Sequence, residues 1–339
     1  MKTIKIMIVL FATSLFSVAN AGEINWTGSA EVTYNISSSD SLAGKSDNGK
    51  AMGISNDIFW SGTGELDNGY TWKVGGDLDS GTVDDTYFTM SLGGMGDLGF
   101  YNDDGSLNIK HGSDQSVYGA GSDNGQGGGI IDPYDTSGYS NIRYTLPADV
   151  LPYGIGASVS KYVGGTAATV DAGDAGAELD VDVKDIISYK VTATPLDGLD
   201  IGLGYYEEDA ENVATDIGQE KRSGTINLTY AYGPATVGLG QSRISPAVAA
   251  STELTNYRNN NYSLAYAVND QLSVSYAMEV STRGNQETTD NKVIEVKSLQ
   301  AAYTVGGATL SLTMDDIENA AYVNNADIKE TMFSMAMDF

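Results

Sequence analysis

Apolar and polar residues alternate one by one through most of the chain, and this alternation limits the possible folds more than any other feature. In 271–281, Leu272 and Val274 fall on one face, and Ser273 and Ser275 fall on the other. A period of two is that of a β-strand with one apolar and one polar face. The helical period is nearly absent, so the sequence predicts an all-β fold.

The composition excludes several classes of function. The 339 residues include no cysteine and one histidine, and 45 Asp and Glu stand against 18 Lys and Arg, for a formal net charge of −27. The lack of cysteine excludes disulfide scaffolds, cysteine metal sites and thiol catalysis. A single histidine excludes histidine-cluster metal sites, and the acidic balance argues against nucleic acid as a partner.

The first 21 residues have the pattern of a cleaved signal peptide. Lys2 and Lys5 precede an apolar run over 6–18, and Ala19 and Ala21 form the small-residue cleavage pattern. An amphipathic anchor would need a polar face that this run lacks. No later stretch has the roughly 20 apolar residues of a membrane helix. A mature chain of residues 22–339 that sits in a membrane must therefore be a closed barrel.

The connections between the alternating segments are short and long in turn along much of the chain. Such asymmetry is expected of an up-and-down transmembrane barrel, with short periplasmic turns at one end and long external loops at the other. The sequence therefore predicts an all-β, antiparallel barrel of about 16 strands. The predicted strands are 23–36, 53–66, 70–79, 84–92, 97–103, 139–146, 153–163, 184–194, 199–207, 221–232, 235–243, 259–268, 271–282, 292–304, 308–316 and 328–339.

Tyrosine is abundant, with 21 residues, and many of them fall toward predicted strand ends. Barrels in membranes carry girdles of aromatic side chains at both water interfaces. Ordinary strand preference is the alternative explanation, since aromatic residues favour strands in general. We interpret the following as girdle residues: Tyr34, Tyr70, Tyr144, Tyr153, Tyr205, Tyr232, Tyr262 and Tyr303.

Several stretches resemble the general porins, the trimeric sixteen-stranded porin family of Gram-negative bacteria. These are the first strand at 22–28, the hairpin at 55–72, the stretch 87–99, and the terminal Phe339 after an alternating strand. The resemblance implies an outer-membrane homotrimer of water-filled barrels that pass small hydrophilic solutes. It also implies contacts with outer-membrane lipids and lipopolysaccharide, and recognition of Phe339 by the outer-membrane assembly machinery.

The resemblance further implies a long third external loop that folds inward and narrows the pore, and segment 104–138 stands in its place. The expected constriction sets acidic loop residues against basic wall residues that parity turns inward; they are Asp114, Asp123, Asp132, Asp135, Lys73, Arg143 and Lys190. Family members usually carry more arginine on that wall. We therefore expect a lumen with excess negative potential and a weak preference for cations.

Other functions are weaker expectations. Loosely bound calcium at Asp180, Asp182 and Asp185 is the one cofactor considered, although no calcium-loop motif is present. Enzyme function is not expected, because His111 lies only two residues from Ser113 and no nucleophile motif precedes a helix.

Two alternatives to a general pore remain. One is a substrate-specific channel with a saturable site, in which Tyr118, Tyr134 and Tyr139 form a sugar track. The other is a structural envelope barrel, although barrels of sixteen strands leave an aqueous channel.

Overall fold

Sixteen antiparallel strands close into one barrel in the computed structural model, which confirms the predicted fold class. The described residues are 24–40, 49–79, 82–102, 107, 113–125, 127–136, 139–147, 150–163, 182–211, 217–249, 255–285 and 292–339. The predicted signal peptide lies outside them.

Each barrel strand pairs with its neighbours along the chain, and the sixteen predicted strands all have a counterpart. The barrel strands are β1 (Ile24–Asp40), β2 (Gly49–Glu65), β3 (Thr71–Asp79), β4 (Thr82–Ser91), β5 (Asp97–Asn102), β6 (Asn141–Thr145), β7 (Gly156–Tyr162), β8 (Asp182–Leu196), β9 (Leu199–Glu211), β11 (Arg222–Tyr232), β12 (Ala235–Ser245), β14 (Thr255–Ala267), β15 (Leu272–Asn285), β16 (Lys292–Val305), β17 (Ala308–Glu318) and β18 (Asp327–Asp338). Most strands with long connections extend further into them than predicted.

Short elements complete the fold. Strands β10 (Ile217–Gln219) and β13 (Val248–Ala249) form a separate two-stranded sheet within connections that the sequence presented as plain polar loops. Among the described residues, the helical elements are single 3₁₀ turns at Gly93–Met95, Gly121–Asp123, Pro152–Gly154 and Ala320–Tyr322. In the described part of the chain, no helix is long and apolar enough to cross a membrane.

The first and last barrel strands meet at one seam, where β18 pairs with β1. The backbone N–H of Gly28 donates to the Phe339 carbonyl at 2.6 Å, and the N–H of Phe339 donates back at 2.8 Å. The Phe339 ring lies over Gly28, in the space that a β-carbon there would occupy. Closure leaves the barrel sheet without an unpaired edge.

The outer face of the barrel is apolar and the inner face is small and polar. On β15, Tyr276 points outward and is 46% exposed, whereas Ser275, Glu279 and Ser281 are buried on the inward face. All but one of the predicted girdle tyrosines are exposed, and Tyr70 is half-buried. An apolar exterior over a polar interior is the reverse of a water-soluble fold and matches a barrel in lipid.

This polarity reverses at the long-connection end of β16, β17 and β18. There the outward residues are charged, and Lys329 pairs with Asp316 at 3.2 Å. The inward residues Ile294 and Ile317 are fully buried in an apolar cluster inside the barrel. The strands therefore rise beyond the apolar belt, and something inside the barrel must cover their inner faces.

Candidate functional site

A stretch of the connection between β5 and β6 lies inside the barrel; we call residues 113–125 and 127–136 the inner segment. Its Val117 N–H donates to Ser275 Oγ at 2.9 Å. Its Tyr118 N–H donates to Gln300 Oε1 at 2.9 Å, and Gln300 Nε2 donates to the Gly119 carbonyl at 2.7 Å. Because Ser275 and Gln300 are inward residues of β15 and β16, the inner segment follows the lumen side of the wall.

Carboxylates of the wall hold the tip of the inner segment. Glu279 accepts the N–H of Ser122 at 2.9 Å, and Glu31 on β1 accepts the Tyr118 hydroxyl at 2.8 Å. Burial, and then the neighbouring Glu31, raise the pKa of Tyr118 to about 12. The hydroxyl therefore keeps its proton at neutral pH and remains a donor to Glu31.

The inner segment then runs back toward β7. Asn259 Nδ2 donates to the Ile131 carbonyl at 2.7 Å, and the Thr136 hydroxyl donates to Ser160 Oγ at 3.1 Å. The Tyr134 ring lies 5.6 Å from the Tyr206 ring, with Lys221 Nζ 4.2 Å from its centroid. The inner segment thus covers the inner faces of β11 to β18, including the apolar cluster at their far end. Through Tyr134 it also packs on a second buried apolar cluster, which lies on β7, β8 and β9.

Glycines in the wall allow this close approach. A β-carbon on Gly238 of β12 would collide with the carbonyl of Ser113. One on Gly121 of the inner segment would lie 2.9 Å from the β-carbon of Ser298. The backbone of the inner segment thus rests directly on the wall.

We expect Gly238→Ala to loosen the inner segment, because the added methyl group takes the place of the Ser113 carbonyl. Overpacking of this kind typically costs about 1–3 kcal/mol. The measurement is the temperature at which the barrel changes its migration on a denaturing gel. The matched control is Gly202→Ala on β9, where a β-carbon meets only Asn227 Cβ at 3.8 Å. Equal shifts for the two variants would contradict the contact.

Elsewhere the wall is open to the lumen, along β2 to β6 and along the parts of β8 and β9 nearest the short turn between them. A cavity of about 650 Å³ is lined by Lys73 and Arg143 together with Glu65 and Asp97. Next to it, a cavity of about 400 Å³ shares Lys73, and a third of about 340 Å³ is lined by Lys190. The three predicted basic residues thus lie on the open side of the barrel.

Two of these basic residues stack on tyrosines of the same wall. The Arg143 guanidinium lies 4.4 Å from the ring centroid of Tyr101 and also donates to its hydroxyl. Lys73 Nζ lies 5.3 Å from the centroid of Tyr87. Such cation–π contacts hold flexible cationic side chains against the wall.

The four predicted acidic residues are spread along the inner segment. Asp135 accepts the N–H of Leu107 at 3.1 Å and lies within electrostatic range of Lys190. Asp114 accepts the Ser116 hydroxyl at 2.9 Å, and Asp132 lines a small cavity against β11 to β15. Asp123 lies at the tip, in the turn that contacts β15 and β16. Asp135 is thus placed beside one of the three basic residues, Lys190.

Some residues that shape this site were not singled out from the sequence. Phe59 and Tyr87 line the 400 Å³ cavity, and strand parity could have shown them, since Phe59 shares the inward face with Ser61. The proposed sugar-track tyrosines have packing contacts instead: Tyr134 as above, and Tyr139 edge-on to Tyr162 at 5.7 Å.

The predicted calcium residues fall partly outside the described chain. Asp180 is not described, nor is the side chain of Asp182, which lies in β8. Asp185 forms an ion pair with Lys161 at 2.5 Å. Across the residues with described positions, no three acidic or histidine side chains group as metal ligands. His111 also lies outside the described chain.

Comparison with known proteins supports the architecture alone. No family model matches the sequence, and no curated protein matches it either. Among solved structures, OmpF of Salmonella typhi in complex with daunomycin aligns with a TM-score of 0.69 at 12% identity, over 94% of this chain and 98% of that one. A porin refined at 1.8 Å resolution aligns with a TM-score of 0.65 at 16% identity, over 94% and 100%. An anion-selective porin from Comamonas acidovorans gives 0.65 at 10% identity, with the same coverage. With sixteen strands, a closed seam and these structural neighbours, the chain has the barrel fold of the general porins.

Proposed function

We propose that the chain forms a water-filled channel in the outer membrane of a Gram-negative bacterium, through which small hydrophilic solutes and ions diffuse passively. The observation that carries this proposal is the uneven covering of the lumen. The inner segment covers β11 to β18 and one end of β7 to β9, and the rest of the wall keeps cavities lined by charged and polar groups. A barrel that served only as an envelope anchor would have no need of an open, hydrophilic wall.

The selectivity follows from the size of the solute and from the electrostatic potential of the lumen, and no chemical step is involved. The inner segment narrows the passage, so it sets the size limit for solutes. The open cavities combine three basic residues with five acidic ones, and the latter are Glu65, Asp77, Asp85, Asp97 and Asp200. Excess carboxylate in a narrow aqueous path concentrates cations and deters anions. Weak cation preference is the expected result.

The assembly of the channel follows from the porin resemblance. The signal peptide takes the chain across the inner membrane, and the outer-membrane assembly machinery reads the terminal Phe339. One solved neighbour is described as a trimer form of OmpT of Vibrio cholerae, and we propose a homotrimer here too. The charged outer rim at Lys329 and Asp316 suits contact with lipopolysaccharide.

Recording from planar lipid bilayers under a salt gradient tests the proposal. We expect stepwise conductance from the purified protein and a reversal potential of the cation-selective sign. Lack of conductance would overturn the channel, and an anion-selective sign would overturn the charge argument while leaving the channel in place.

A further inference from the structure

Phe59 presents a large apolar ring to the lumen. In the sheet register it lies opposite Thr27 of β1 and Asp77 of β3. Thr27 shares its face of β1 with Glu31, which contacts the inner segment through Tyr118. Phe59 therefore points into the barrel. Its exposed fraction is 43%, whereas the inward apolar residues of the opposite wall, under the inner segment, are at most 7% exposed.

Polar groups surround this ring. The 400 Å³ cavity beside it is lined by Asn25, Thr27, Ser61, Asp77 and Asp85. Asp77 Oδ1 accepts the backbone N–H of Asp85 at 2.9 Å, which holds the Asp77 carboxylate against the backbone of β4. The groove thus offers one apolar surface and several hydrogen-bond acceptors, and its volume is within the range of about 300–1,000 Å³ typical of small-molecule sites.

Lys73 and Tyr87 close the other side of the groove. Lys73 Nζ lies 5.3 Å from the Tyr87 ring centroid. The Tyr87 hydroxyl lies over Gly75, only 2.6 Å from the position that a β-carbon there would take. Within the described residues, Lys73 forms no salt bridge. Its ammonium group is therefore available as a hydrogen-bond donor to a molecule in the groove.

We propose that this groove is a binding site for the pyranose ring of an uncharged sugar. The C–H face of the ring packs on Phe59, the sugar hydroxyls donate to Asp77 and Asp85, and Lys73 donates to a sugar oxygen. An inorganic ion would make no contact that uses the phenyl ring. A purely aromatic solute would displace water from the carboxylates and offer them no hydrogen-bond donor in its place. The inference rests on the proposed channel function and names a solute class for it.

Titration of single-channel current with maltotriose tests the site, because an uncharged probe cannot act through the field of the pore. We expect a saturable fall in current for the wild-type protein. Loss of the ring in Phe59→Ala should raise the half-saturating concentration about five- to tenfold, the scale of one ring contact. Phe59→Trp should retain the block. A polyethylene glycol of equal mass should lower the current without saturation.

The controls separate this site from the channel itself. Thr229→Ala changes a residue of the third cavity and should leave the maltotriose titration unchanged. Asp77→Asn is a second variant within the groove and should also weaken the block. Normal conductance without saturable block, or equal block in Phe59→Ala and wild type, would overturn the sugar site and leave the channel. Loss of conductance in the wild type would instead overturn the channel.

Discussion

Replacing residues 104–138 by a short glycine-containing turn should raise the single-channel conductance about two- to threefold, since a sixteen-stranded barrel without an inner segment has a wide aqueous lumen. The connection can be shortened because β5 and β6 are paired neighbours, with Tyr101 opposite Asn141 and thus suited to a hairpin. The measurement is conductance in planar bilayers, together with the largest uncharged polymer that enters the pore. Unchanged conductance would show that the inner segment is not the constriction.

Removal of the inner segment also exposes apolar residues of the wall to water, so the shortened barrel needs a second variant as its control. In the second variant, Ile294, Val296 and Ile317 are also changed to serine, which gives the exposed wall the polarity of the rest of the lumen. Both shortened proteins should show the higher conductance. If only the first does, leakage through a poorly packed barrel explains the effect.

A cross-link offers the converse test, since the chain has no cysteine of its own. In the double variant Gly121→Cys, Ser298→Cys the two β-carbons would be about as far apart as a β-carbon on Gly121 is from the Ser298 β-carbon, which is 2.9 Å. A disulfide needs about 3.5–4.5 Å, so a shift of about 0.6 Å is enough. Oxidation should leave conductance unchanged if the inner segment already rests on the wall, and each single cysteine variant serves as its control.

Removing the basic residues of the open wall should have the second large effect. The triple variant Lys73→Gln, Arg143→Gln, Lys190→Gln leaves the acidic residues of the cavities without counter-charges. We expect the cation-to-anion permeability ratio to rise about two- to fivefold, because each charge within a few ångströms of a passing ion contributes up to about 1 kcal/mol even in water. Reversal potentials under a salt gradient measure the ratio.

The matched variant removes three acidic residues from the same cavities: Glu65→Gln, Asp77→Asn and Asp85→Asn. It should move the reversal potential in the opposite direction. Both shifts should shrink in high salt, where screening shortens the range of each charge. Equal reversal potentials for the two triple variants would show that these cavities lie away from the ion path.

Alternation along the strands was enough to predict the barrel, because a two-residue period of polarity fixes which side chains meet lipid and which meet water. It also placed Lys73, Arg143 and Lys190 on the inward face. The same rule applied to Phe59 would have found an apolar ring in the lumen. The alternation is hidden at that point, because the outward neighbour Trp60 is also aromatic.

The path of the inner segment could not be read from local pattern. Its contacts join residues far apart in the chain, such as Tyr118 with Glu31 and Ser122 with Glu279. Residues such as Ile294 give an indirect sign that the inner segment is present, since they are apolar at inward positions, where the alternation predicts polar side chains facing the lumen. These apolar residues indicate that some segment covers the inner wall. They do not identify the segment, because several connections are long enough to reach this part of the wall.

The seam between the first and last strands also constrains how the protein can form. Ser29 pairs with Asp338, so the ring is closed by joining the first barrel strand to the last one. Contacts this distant in sequence require closure of a very long loop, which slows folding. The barrel therefore cannot close before β18 is in place, and until then both β1 and β18 present unpaired edges that need protection from other chains.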